Sequence, residues 1–78
     1  MKTKKQIKLM TDAIQNTTTF QVGNIDFETG KDRVTVWTKN SYNGSFHAVE
    51  IGAMAQSMGF HAYVTYNAEE ERCELDIF

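Results

Sequence analysis

Three side chains in this 78-residue chain could support nucleophilic or metal chemistry: His47, His61 and the single cysteine, Cys73. A Cys–His pair needs the thiol and an imidazole within hydrogen-bonding reach. The pattern around them argues against that arrangement. In "RCELDIF", Cys73 alternates with Glu74 and shares an inward face with Leu75 and Ile77. In "FHAYVTYN", His61 points away from the apolar face. Cys73 therefore reads as a small core residue, and His47, near a helix start, as a residue at the core margin. One cysteine can form no internal disulfide and cannot anchor zinc by itself. The chain has no Gly-rich nucleotide loop, no His-x-x-x-His and no Cys-x-x-Cys. Neither a catalytic group, a metal nor a cofactor is expected, and the chain reads as a non-enzyme.

Two weaker features could bind rather than react. The loop "SYNGS" before a helix could hold an anion on free N–H groups, although Ser45, as N-cap, would satisfy one of them itself. Lys4, Lys5 and Lys8, with Lys2, could touch phosphates, while Trp37 and Tyr63 on an open sheet face could stack on bases. Glu74 and Asp76 alternate onto that same face and would repel a phosphate backbone. The alternative to base stacking is a Trp37–Tyr63 cross-strand pair shielding the sheet.

The elements that position these residues follow from periodicity. Lys2 to Asn16 is predicted to be a helix, with Ile7, Met10 and Ile14 on one face and Leu9 and Ala13 widening it. "FQVGNIDFE" alternates with a phase slip between Phe20/Val22 and Ile25/Phe27, which predicts a strand with a β-bulge near Gly23-Asn24. After the turn "TGKD", "RVTVWTK" alternates with Val34 and Val36 inward. A second helix runs from Phe46 to a left-handed stop at Gly59. "FHAYVTYN" places Phe60, Ala62, Val64 and Tyr66 on one face. An acidic turn and "RCELDIF" complete the chain. The predicted fold is α+β: one domain over residues 1–78, order αββαββ, with a four-stranded antiparallel sheet and two helices on one face.

That second helix carries two apolar stripes. Ile51, Met54, Ala55 and Met58 form one, while Phe46, Val49 and Ala53 lie nearly opposite. The second stripe must be covered either by the first helix or by a partner. Gly52, inside the helix, would either permit close approach of another backbone or simply be tolerated.

Composition narrows the function classes. A domain of this size buries only roughly 60% of its unfolded surface, so its core is thin and a partner would help it. The net charge of −2 does not suit a general nucleic-acid binder. It divides unevenly: residues 1–47 hold seven basic and four acidic groups, and residues 48–78 hold one and six. No stretch reads as a signal peptide or a membrane span, and a cytoplasmic location is expected. The expected function is a small binding or regulatory protein, working through protein–protein contacts and self-associating as a homodimer. Its contact residues would be Phe46, Val49 and Ala53, or Trp37 and Tyr63. Small inhibitors of this kind are common among phage and mobile-element products. The alternative is a nucleic-acid-binding module using Lys4, Lys5, Lys8, Trp37 and Tyr63.

Overall fold

The computed structural model describes residues 2–39 and 43–78. Helix α1 (Lys4–Gln15) starts with a capping box. Thr3 Oγ1 accepts the Gln6 N–H at 3.1 Å, and Gln6 Oε1 accepts the Thr3 N–H at 2.8 Å, which satisfies two otherwise orphaned donors. Ile7, Met10 and Ile14 are buried as predicted. Leu9 is not: it is 53% exposed, because a step of about 100° per residue carries it off the arc that those three define.

Of the predicted bulged strand over Phe20 to Glu28, only the part from Ile25 onward is a strand, and there is no bulge. Residues Thr18–Gln21 make a short helix, α2, capped by Thr17, whose Oγ1 accepts the Phe20 N–H at 3.2 Å. The chain leaves α2 through Gly23 at φ +83°. Asn24 N–H donates to Thr19 O and Gly23 N–H to Phe20 O, both at 3.0 Å. These paired bonds are a Schellman helix stop, so the glycine ends a helix rather than opening a bulge. The same device ends the third helix, α3 (Gly44–Ser57). Gly59 stands at φ +89°, Phe60 N–H donates to Ala55 O, and Gly59 N–H to Gln56 O, each at 3.0 Å.

The strands are β1 (Ile25–Thr29), β2 (Val34–Thr38), β3 (Ala62–Asn67) and β4 (Arg72–Ile77), all antiparallel and ordered β1-β2-β4-β3. Two local hairpins meet where Val34 pairs with Ile77 and Val36 with Leu75. This is the predicted α+β sheet, with α2 as an addition. Ile25, Val34, Val36, Leu75 and Ile77 join Ile7, Met10, Ile14, Ile51, Ala55 and Phe60 in one core. Among the described residues no helix packs on the opposite face of the sheet.

β3 departs from its expected pattern. Phe60 is buried and Ala62 half-buried, but Val64 and Tyr66 are 44% and 62% exposed. The reason is the path of α3. Gly52 sits over Leu75 of β4 and Ala62 at the start of β3, so the rest of β3 lies beyond the helix. Among the described residues no helix is long and apolar enough to cross a membrane.

Candidate protein-binding surface

α3 turns Gly44, His47, Ala48, Ile51, Gly52 and Ala55 to the interior. Small residues at 44, 48, 52 and 55 let the helix lie close to the sheet. A methyl group built on Gly52 would meet Ala62 Cβ at 3.6 Å and Leu75 Cδ1 at 3.7 Å. These are side chains at ordinary contact distance, so Gly52 serves no close backbone approach. Met58, predicted on the buried stripe, is 37% exposed at the C-cap. Asn43 rather than Ser45 holds the N-cap position, and it makes no side-chain capping bond. Ser45 is the second helical residue. Ser41 and Tyr42 of the "SYNGS" loop lie outside the described residues.

The other stripe faces water. Phe46 and Val49 are each 66% exposed, and Ala53 is exposed as well. Among the described residues α1 does not cover them, so the alternative in which the first helix takes up this stripe fails. The stripe is also wider than the sequence pattern suggests. Between α3 and β3 runs a shallow groove of about 220 Å³, lined by Val49, Gly52, Ala53, Ala62 and Val64. Val64 extends the apolar surface from the helix onto the sheet edge. Burying Phe46 and Val49 would be worth roughly 1.5–3 kcal/mol each. Glu50 borders the patch, fixed by the Thr19 hydroxyl, which donates to Glu50 Oε1 at 2.6 Å.

Trp37 and Tyr63 occupy the opposite face of the sheet and share no surface with this patch. Nor are they a cross-strand pair, because β4 runs between their strands. Trp37 lies opposite Asp26 on one side and Glu74 on the other, and Tyr63 lies opposite Asp76. Trp37 Nε1–H donates to Glu74 Oε1 at 2.8 Å, and the Arg72 guanidinium stands 5.6 Å from its ring centre. Lys4, Lys5 and Lys8 project from α1, in the helix layer, and Lys8 pairs with Asp12 at 3.2 Å. The residues proposed to touch phosphates and those proposed to stack on bases thus lie on opposite sides of the sheet.

Cys73 is buried with its thiol free, and its N–H donates to Thr38 Oγ1 at 2.9 Å. It pairs with Tyr66 in the sheet, five residues along β3 from His61, or about 16 Å at a strand's rise. His47 is buried with neither ring nitrogen hydrogen-bonded. Neither imidazole is therefore poised to activate the thiol. Among the described residues no cluster of three metal-ligating side chains occurs.

Val64 and Tyr66 escaped the sequence reading as surface residues. A period-two pattern tells which face a side chain takes but not whether a helix covers it. The chain matches no known protein-family model, no curated protein and no solved structure.

Proposed function

We propose that this protein is a small non-enzymatic binding module that regulates or inhibits another molecule by protein–protein contact through the α3/β3 face. The observation that carries the proposal is the exposed Phe46–Val49 pair, continuous through the groove with Val64. Isolated apolar residues on a surface are ordinary, but a contiguous patch with a polar border is characteristic of an interface. Nucleic-acid binding has less support. Its lysines and aromatics do not converge, and the open sheet face carries Asp26, Glu28, Glu74 and Asp76 around its aromatic side chains.

The double variant Phe46→Asp/Val49→Lys tests this. Both positions are exposed, so circular dichroism and the melting temperature should stay near those of the parent. Self-association, or capture of the cognate protein, should be lost. A folded variant with unchanged mass and unchanged capture refutes the proposal. A mobility shift with mixed oligonucleotides that collapses as salt rises would favour the nucleic-acid alternative.

A further inference from the structure

The outer edge of β3 is open. His61 and Phe78 exchange both backbone hydrogen bonds, at 2.6 and 2.9 Å. By antiparallel alternation, Tyr63, Thr65 and Asn67 direct their N–H and C=O groups to β4, while Ala62, Val64 and Tyr66 direct theirs outward. Among the described residues no backbone group meets those three. Proteins usually guard such an edge with charge, proline or a bulge. β1, at the far side of the sheet, carries Asp26 and Glu28. β3 reads "AYVTYN": no charge, no proline, and an unbroken register with β4 along its whole length.

We propose that this edge pairs with β3 of a second copy of the chain, antiparallel about a two-fold axis, joining two sheets into one. The inference rests on the reading of the α3/β3 face as a protein-binding surface and names its occupant. Self-complementarity supports it. Centred on Val64, the two-fold sets Val64 against itself and Ala62 against Tyr66, small against large. These are the residues whose backbone groups point outward, so each pair can exchange two hydrogen bonds. Val64 and Tyr66 project to the helix side, so the incoming strand extends the floor of the groove beside Val49 and Ala53.

Charge supports the same arrangement. Antiparallel pairing sets the Asn67 end of one β3 beside the His61 end of the other. The first end leads into the exposed turn bearing Glu69, Glu70 and Glu71. The second is where Lys2 donates to Gly59 O at 2.6 Å and stands 4.8 Å from the Phe60 ring centre. Each acidic turn then lies toward the Gly59 end of the other copy, where its Lys2 stands. Parallel pairing would instead bring the two acidic turns together. Pairing β3 with the β1 edge of another copy would be open-ended and would form fibres rather than a dimer.

Light scattering over a concentration series, with circular dichroism, tests the proposal. The parent should be a dimer at about 100 µM, whereas Val64→Lys should be a monomer with an unchanged spectrum. Lys2→Glu and Glu69→Lys should each weaken the dimer about three- to tenfold, and the two together should restore it, as expected of exposed ion pairs repeated by symmetry. The exchange of charges keeps the test decisive if Val64→Lys fails to fold. A parent that stays monomeric to about 1 mM, or a charge exchange that fails to rescue, overturns the edge pairing. So does a dimer that survives Val64→Lys. If that surviving dimer is lost in Phe46→Asp/Val49→Lys, the α3 reading stands without the edge. If Val64→Lys removes the dimer while the α3 variant changes neither mass nor capture, the edge stands and the α3 reading fails.

Discussion

Two glycines in α3 predict opposite responses to the same substitution. Gly52 lies mid-helix, where an added methyl would find Ala62 Cβ at 3.6 Å and Leu75 Cδ1 at 3.7 Å. Replacing glycine by alanine in a helix interior gains up to about 1 kcal/mol, and burying a methyl adds at most about 0.8 kcal/mol. Gly52→Ala should therefore stabilise the domain by about 1 kcal/mol, raising Tm by about 4–8 °C for a chain of this size. Gly44, the first helical residue, is different. Its methyl would sit 2.9 Å from Thr38 Oγ1 and 3.5 Å from Thr38 Cβ. Thr38 is buried, and rotating its hydroxyl away would break the 2.9 Å bond from Cys73 N–H. Strain of this kind costs about 1–3 kcal/mol, more than the small propensity gain at a helix start. Gly44→Ala should lower Tm, while Gly52→Ala raises it. Urea unfolding with an unchanged m-value would check both. Two shifts of the same sign would refute the reasoning, because the packing of α3 on β2 and β4 would then not be as described.

Thr19→Val removes the hydroxyl that ties α2 to Glu50 of α3. A hydrogen bond to a charged group is worth about 1.5–3 kcal/mol, and the exposure of Glu50 reduces this to about 1 kcal/mol; the urea midpoint should fall accordingly, with helix content unchanged. Cys73, buried with its thiol free, should resist alkylation in the native protein and react once urea unfolds it; rapid native labelling, followed by mass spectrometry, would contradict its placement.

Where one face of an element is fully buried, its pattern was legible in the residues. Val34/Val36 and Cys73/Leu75/Ile77 repeat every second position, and Ile7/Met10/Ile14 repeat at helical spacing, because a covered face tolerates no slip. Phe20 and Val22 misled because α2 spans only four residues, too few to display a helical period. Its cues were Thr17 before it and Gly23 after it, the N-cap and the left-handed stop. The relation of Trp37 to Tyr63 depends on strand order, which two local hairpins leave open; only the pairing of β2 with β4 places Glu74 and Asp76 between them. The hydroxyl of Thr38, which holds Cys73 N–H, has no counterpart in any period. For the candidate site, Phe46, Val49 and Ala53 could be recognised from helical geometry, but their continuity with Val64 depends on where α3 crosses the sheet.

The strand order also governs how quickly the chain can reach its native state. Each hairpin closes through four residues, 30–33 and 68–71, which is a microsecond event. The β2/β4 seam instead joins residues 34–37 to 74–77, about forty positions apart. By loop-closure entropy, bringing those ends together costs roughly 2 kcal/mol more than closing a four-residue turn. α3 occupies that interval, so forming the helix shortens the distance the chain must search. The seam and α3 are therefore the expected nucleus. Val36→Ala should mainly slow folding, and Phe27→Ala, on the outer strand β1, should mainly speed unfolding. A chevron analysis of those two variants reads the difference, and equal effects on the folding arm would place the nucleus elsewhere.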